Sequence, residues 1–329
     1  MRIVSLIPSG TEMLGAIGAV DMLVGRSHEC DFPQGVGSLP AITAQKTRFD
    51  PDAGADAAGI DAQVRASLEG GQSLYVLDEQ LFADLVPDLV IIQDLCSVCS
   101  IDSACVQRLM EQLPNRPQLI ELKAQTVEEI LDEMLMLGRA VGLEDRAVHA
   151  VVDLKQRMDR AQEHINPYID GPVVGFMEWT DPVFVAGHWT VQLIERAGGQ
   201  HPMNPTVILP GSGAAVGPQQ AQRVAGHSIA VSNQDFAASR PEHLIIAPCG
   251  LTLEQSRAEA ERLYRSCDWF RNLPAVKNNR VVVVDGNQMF NRPGPRVVDA
   301  QEFLVGWLNN CEHLIPDDFP WEAWTPAAG

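Results

Sequence analysis

The feature that most constrains the fold is a double series of alternating strand-like and helix-like segments. Short runs rich in β-branched residues, such as residues 2–7 and 88–93, are each followed by a segment with helical spacing. The alternation resumes at residue 173 and continues to residue 310. Parallel strands need crossover connections, usually helices, so this pattern is typical of α/β folds. The sequence predicts an α/β protein with two Rossmann-like lobes, mainly parallel sheets and a single long helix joining the lobes.

The stretch between the two series has only helical periodicity. Its second helix is predicted over residues 144–164, which have an apolar stripe of period 3.6 and end at Asn166-Pro167. Residues 43–72 are rich in Asp, Ala, Gly and Gln and predict an excursion with one short helix. We therefore expect an N-terminal lobe over 1–125, a helical segment with the lobe-joining helix over 126–170, a C-terminal lobe over 171–313 and an irregular tail over 314–329.

The charge balance excludes several classes of partner. The chain has 329 residues, with 43 acidic and 24 basic side chains and a formal net charge of −19. Nucleic acids and anionic membrane surfaces both need a basic protein surface, so neither is an expected partner. Apolar runs are too short for a membrane-spanning helix. The first residues lack the long apolar run of a secretory signal, which predicts a cytoplasmic protein.

Motifs of the common enzyme classes are missing. The sequence has no G-x-x-x-x-G-K-[ST] loop, no G-x-S-x-G elbow and no H-E-x-x-H helix. No set of an acid, a base and a nucleophile stands out either. A binding function is favoured, and an enzyme that uses thiol chemistry is the alternative.

Four residues are candidate metal ligands. Cys96 and Cys99 form a C-x-x-C pair after the strand over 88–93, and His28 and Cys30 follow the second strand. Thiolate and imidazole suit zinc, iron or cobalt. Three interpretations stay open: buried or idle thiols, a metal site built from these four residues, and a redox pair or an axial thiolate to cobalt. The second would make the chain a cytoplasmic metal-binding or metal-sensing protein.

The loop after the first strand has two interpretations. Ser9 or Thr11 could cap a helix, with Glu12 in its first turn. Alternatively, the helix N-terminus could present free N–H groups to a ligand.

Several segments together resemble a known family. They are residues 2–33, PDLVIIQ, the helical middle, VFVAGHWTVQLIERAGG and RVVVVDGNQMFNRPGPRVVD. They resemble the periplasmic-binding-like, helical-backbone (class III) receptors for cobalamin and ferric siderophores, most of all the signal-less cobalamin-binding proteins of ABC-type importers. The resemblance implies a non-catalytic protein that holds cobalamin or a related corrinoid or metal chelate in the cleft between its lobes. It also implies an ABC-type permease as a partner. An enzyme that modifies a corrinoid on the same scaffold stays the alternative.

The resemblance also implies which residues face the ligand. The N-terminal lobe would contribute Pro8, Ser9, Gly10, Thr11, His28, Glu29, Cys30, Asp94, Leu95, Cys96 and Cys99. The C-terminal lobe would contribute Trp179, Phe184, His188, Trp189, Phe290, Asn291 and Arg292. Aromatic rings supply contact area with few rotors to freeze, and Ser, Asn and Arg can bond peripheral amides. Alternatively, the two Trp residues pack in the core, His188 caps a helix and Arg292 stabilises a turn.

Overall fold

The computed structural model describes residues 1–46, 57–69, 74–93, 103–210, 212 and 222–326. The chain divides into two compact units. The first comprises Met1–Ala55, Gly59–Ala124 and Glu128–Leu154, and the second comprises Asp56–Ala58, Gln125–Val127 and Lys155–Gly329.

The first unit is built on a parallel four-stranded sheet of order β2-β1-β5-β6, with β3 and β4 forming a separate antiparallel pair. Its strands are β1 Ile3–Ser5, β2 Leu23–Arg26, β3 Thr43–Gln45, β4 Tyr75–Leu77, β5 Leu89–Gln93 and β6 Gln118–Leu122. The helices that lie wholly or mainly in this unit are α1 Pro8–Ala16, α2 Ala57–Glu69, α3 Glu79–Asp84, α4 Ser103–Gln112 and α5 Val127–Ala140. The first four residues of β5 are all buried, as a central parallel strand requires.

The helix α6 covers Glu144–Gln162, close to the predicted 144–164. Residues up to Leu154 cluster with the first unit, and residues from Lys155 onwards cluster with the second. In its second part, the guanidinium of Arg157 forms ion pairs with Asp299 and Glu302. These two carboxylates anchor the end of α6 to the second unit.

The second unit is built on a six-stranded sheet of order β11-β8-β7-β12-β13-β14. Its strands and those of a small hairpin are β7 Val174–Thr180, β8 Val183–Val185, β9 Val207–Ile208, β10 Arg223–Val224, β11 Ile229–Ala230, β12 His243–Ile246, β13 Val281–Val284 and β14 Trp321–Trp324. The helices are α7 His188–Arg196, α8 Asn233–Ala238, α9 Leu253–Ser266, α10 Asp268–Arg271, α11 Pro274–Lys277 and α12 Val297–Leu308. Strands β7, β12 and β13 are parallel, and β8, β11 and β14 are antiparallel to their neighbours. The predicted α/β class is confirmed, and the first sheet is parallel throughout. The second sheet departs from the predicted mainly parallel order, because two of its pairings are parallel and three are antiparallel.

The predicted irregular tail is wrong over β14. Trp324 pairs with Val281 at the edge of the sheet, and its indole packs into the core beside Phe270. The sequence predicted irregularity because Pro and acidic residues surround Trp321 and Trp324. The pairing instead covers the edge of β13, which would otherwise be exposed. The excursion after residue 43 also differs from its prediction, because it contains β3 in addition to a helix.

Within the ranges described above, no helix combines the length and the apolar character needed to cross a lipid bilayer.

Candidate functional site

The helix α1 begins earlier than a Ser9 or Thr11 cap requires. Ile7 is the N-cap residue, makes no side-chain capping bond, and is followed by Pro8 in the first helical turn. Proline suits this position because its fixed φ is already helical and its missing N–H would have no helical partner. The predicted capping by Ser9 or Thr11 is therefore wrong.

The four predicted site residues of α1 are all buried. A Cβ on Gly10 would lie 2.7 Å from Cγ2 of Ile91, so glycine allows α1 to pack closely on β5. The Thr11 hydroxyl donates to Sγ of Cys30 at 3.1 Å, which ties the helix to the loop after β2. The hydroxyl of Ser9 is buried without a hydrogen-bond partner in the described ranges. Contact between these residues and a ligand stays a prediction.

The loop after β2 is held by Thr43, the first residue of β3. The backbone N–H of His28 donates to the Thr43 hydroxyl at 3.0 Å, and Nδ1 of the same imidazole lies 2.6 Å from that oxygen. Burial, with the nearby charge of Arg26, lowers the pKa of His28 below its usual value. Nε2 of His28 lies 3.9 Å from the carboxylate of Glu29.

The predicted metal site cannot be assembled from the described residues. Cys30 is buried beside Thr11, whereas Cys96 and Cys99 lie outside the described ranges, as do Asp94 and Leu95. In the part of the chain that the structure covers, no three His, Cys, Asp or Glu side chains are grouped to hold a metal. The metal-binding hypothesis for this loop stays a prediction.

In the second unit, the parallel strands β7, β12 and β13 end at one edge of the sheet. The backbone N–H of Cys249 donates to the carbonyl of Glu178 at 3.0 Å, which joins the ends of β7 and β12. Nδ2 of Asn291 donates to the carbonyls of Ala247 and Gly286 at 3.2 and 2.7 Å. Asn291 therefore fixes the loops that follow β12 and β13. Ligands commonly bind at this edge in α/β proteins.

Two of the predicted ligand-binding aromatic residues belong to the interior. Trp189 is 7% exposed, and its indole Nε1 donates to the carbonyl of Phe290 at 2.7 Å. Phe290 is 1% exposed and packs edge-on against Phe176. Arg292, which follows in the same loop, is also buried. These positions agree with the packing interpretation, and their contact with a ligand stays a prediction.

The other two predicted aromatic residues are only half-buried. Trp179 on β7 pairs with Phe184 on β8, so their side chains are cross-strand neighbours near the end of β7. The indole N–H of Trp179 donates to the carbonyl of Ala57 at 3.2 Å, a residue that clusters with the second unit. The pair therefore leaves part of its aromatic surface exposed, and the one polar group of the two rings, the indole N–H of Trp179, is already hydrogen-bonded.

The structure also pairs two histidines that the sequence did not connect. Nε2 of His188 lies 3.1 Å from Nδ1 of His227, with the two rings nearly perpendicular and their centroids 4.7 Å apart. His188 is half-buried, stacks on Trp189 and has a positive φ of 49° at the start of α7. Burial and the neighbouring His227 lower the pKa of His188 to about 4. No local pattern around His227 signals this contact, because it depends on the pairing of β8 with β11.

An open groove of about 780 Å³ lies in the first unit against β6 and between α4 and α5. Its lining residues are Gln107, Gln118, Leu119, Ile120, Glu121, Lys123, Met136, Arg139 and Ala140, and they include none of the predicted ligand-facing residues.

The fold is similar to that of several solved proteins. The structure is similar to a periplasmic heme binding protein from Pseudomonas aeruginosa, with a TM-score of 0.66, 20% identity and coverage of 94% of this chain and 92% of that one. It is similar to the periplasmic vitamin B12 binding protein BtuF of Vibrio cholerae, with a TM-score of 0.62, 18% identity and coverage of 94% and 97%. For the periplasmic heme-binding protein RhuT from Roseiflexus sp. RS-1, the TM-score is 0.65 at 20% identity, with coverage of 94% and 98%.

No curated protein matches the chain. At the identities above, the likeness to solved structures establishes the fold alone. A family model described as periplasmic binding protein, however, matches residues 3–287. The chain therefore belongs to the periplasmic binding protein family, as its sequence resemblance predicted.

Proposed function

We propose that this chain binds cobalamin or a related corrinoid. As a periplasmic binding protein it is a non-catalytic solute-binding protein, so its ligand leaves chemically unchanged. The proteins of similar fold named above bind heme or vitamin B12. Both ligands are large metal chelates with broad apolar faces and polar side groups. Such a ligand needs a wide apolar surface and a few well-placed hydrogen bonds.

The observation that supports this proposal is the cross-strand pair Trp179–Phe184. Its rings are half-buried although both are large and apolar. They lie near the end of β7, at the edge where α/β proteins commonly hold ligands. Rigid aromatic rings contribute contact area at low entropic cost, which suits the face of a corrin ring. Trp189, in contrast, is buried within the unit and is less suited to this role.

A calorimetric titration tests the proposal. Purified protein is titrated with cyanocobalamin and, separately, with hemin, and retained pigment is measured after gel filtration. We expect cyanocobalamin to bind, and Trp179→Ala and Phe184→Ala each to weaken binding by about tenfold, as loss of a buried aromatic anchor does. Tyr168→Ala is the matched control, because Tyr168 is a 93% exposed aromatic residue of the same unit. No heat and no retained cobalamin would refute the corrinoid proposal. Binding of hemin without binding of cyanocobalamin would replace it with a heme-binding function.

A permease partner and the cellular location are further proposals. Members of this family serve ABC-type permeases, and we propose such a partner for this chain. A cytoplasmic location, proposed from the sequence, is incompatible with delivery to a permease from the periplasm. Fractionation of the host cell followed by immunodetection decides between the two proposals: recovery in the periplasm favours the permease, and recovery in the cytoplasm opposes it.

A further inference from the structure

We propose that His188 and His227 form a binding site for a divalent transition-metal ion of the zinc, cobalt and nickel type. Their facing ring nitrogens are 3.1 Å apart. Two imidazoles bound to one ion at about 2.0–2.1 Å, with angles of about 90–110° at the metal, hold their nitrogens about 2.8–3.4 Å apart. Imidazole is a suitable ligand for these borderline ions. The pair therefore already has the separation that two adjacent coordination positions require.

The backbone around the pair is built to hold this separation. The N–H of His188 donates to the carbonyl of Gly226 at 2.9 Å. Nδ2 of Asn204 donates to the carbonyls of Ala186 and His227 at 2.8 and 3.0 Å and so holds both loops. A Cβ on Gly187 would lie 2.3 Å from the backbone nitrogen of Ser228, so the close approach requires glycine.

The two imidazoles differ in exposure in a way that suits metal capture. His188 is half-buried, stacks on Trp189 and has a positive φ, a conformation that costs energy in a residue other than glycine. Strained residues of this kind are frequent at binding sites. His227 is exposed, so its ring can turn to direct Nδ1 at an ion held by His188. Ser228, the next residue, donates to the carboxylate of Glu178 at 2.7 Å, which fixes the loop that carries His227.

The geometry also decides what kind of metal complex the pair accepts. A planar macrocycle occupies four positions around its metal and leaves only two positions on opposite faces. Two imidazoles with nitrogens 3.1 Å apart can occupy only adjacent positions. The pair therefore cannot bind through both nitrogens to the metal of a corrinoid or a heme. It suits a hydrated ion or an open chelate, whose other positions are filled by water or solute oxygens. This inference does not rest on the corrinoid proposal.

A titration of the full chain with Co²⁺, followed by its visible absorption, tests the site. We expect one bound ion with the spectrum of nitrogen and oxygen ligands and without the near-ultraviolet band of cobalt–thiolate bonds. His227→Asn and His188→Asn should each weaken Co²⁺ binding by about tenfold or more, within the range measured for perturbed metal sites. Asparagine is chosen at position 188 because it tolerates positive φ.

Two control variants separate this site from general surface binding. His149→Asn removes an exposed imidazole from α6, and His164→Asn removes one ring of the exposed pair His164–His313. Both should bind Co²⁺ within about twofold of the unaltered chain, because surface substitutions elsewhere leave a built site intact. The inference would be overturned if the control variants lost as much Co²⁺ affinity as His227→Asn, or if His227→Asn bound Co²⁺ as the unaltered chain does. A spectrum with cobalt–thiolate bands would also overturn it. Cobalamin titration of the same variants keeps this outcome separate from that of the corrinoid proposal.

Discussion

The indole N–H of Trp189 and the hydroxyl of Thr190 donate to one backbone carbonyl, that of Phe290, at 2.7 and 3.2 Å. The acceptor lies about a hundred residues further along the chain, in the 3-10 turn Met289–Asn291 that follows β13. Two consecutive residues of α7 thus anchor the loop at the carboxyl edge of the second sheet. The carbonyl is buried with its residue, so it depends on these donors.

Removing both donors should lower the free energy of unfolding by more than the sum of the two single losses. We expect Trp189→Phe to lower the free energy of unfolding by about 1–3 kcal/mol and Thr190→Val by about 1 kcal/mol, since each leaves the other bond intact. The double variant should lose more than the sum, because the carbonyl then has neither donor. Urea unfolding of the four proteins measures this coupling. Strict additivity would show that the two bonds do not share the stabilisation of this carbonyl.

Gly187→Ala should destabilise the second unit. The added Cβ would overlap backbone atoms of His227 and Ser228, which cannot move without disturbing the β8–β11 pairing. We expect a loss of about 2–4 kcal/mol in the free energy of unfolding, as for other forced overpacking. Gly37→Ala is the matched control, because no atom lies within 4 Å of its added Cβ. Similar unfolding midpoints for the two variants would contradict the close approach at Gly187.

Trp324→Ala tests whether β14 belongs to the core. The indole is 5% exposed and packs against Tyr264 and Phe270, so its removal should cost about 3–5 kcal/mol. Glu322→Ala, on the same strand, should change stability by less than about 0.5 kcal/mol, because its contact with Arg257 at 3.7 Å is exposed. Chemical unfolding followed by circular dichroism compares the two. A loss of stability as small as that of Glu322→Ala would mean that β14 does not contribute to the core.

The carboxyl group of Glu133 predicts a pH dependence of stability. Burial raises its pKa from 4.5 to about 7, although the backbone N–H groups of Lys123 and Ala124 donate to it. The folded state binds this proton more tightly than the unfolded state does. Its favourable contribution is therefore complete below pH 4.5 and is lost as the pH rises through about 7.

Glu133→Gln should remove this dependence. The amide oxygen can still accept from both N–H groups, and the side chain never carries a charge. We expect the variant to gain stability relative to the unaltered chain as the pH rises from 4.5 to 8. Urea unfolding at several pH values measures the difference. A difference that stays constant over this interval would show that Glu133 does not titrate as burial requires.

Local elements follow directly from the sequence where their pattern is contiguous. The strand β5 differs from the predicted run over 88–93 by one residue at its start, and α6 differs from its prediction by only two residues at its end. Apolar periodicity and the breaker Asn166-Pro167 are properties of neighbouring residues, so they identify such elements without tertiary information. The family was also recognisable from short segments, and the match of the family model to residues 3–287 confirms it.

The candidate site depended much more on tertiary structure. Sequence reasoning selected Trp189 and Phe290 as ligand contacts, and the structure adds that both are buried and joined by a hydrogen bond, so their contact with a ligand stays a prediction. It gave no sign of the contact between His188 and His227, and it treated the segment around Trp324 as irregular.

The sequence alone determined the α/β class and elements such as β5 and α6, because periodicity and breakers act between neighbouring residues. It also determined the family, through the resemblance of its segments to known receptors. Tertiary structure decided which aromatic rings are buried, that β14 covers β13, and that His188 meets His227 39 residues away. These outcomes depend on which strands pair and which faces pack together. A local pattern states that a residue is apolar or polar, but only the folded chain determines what it contacts.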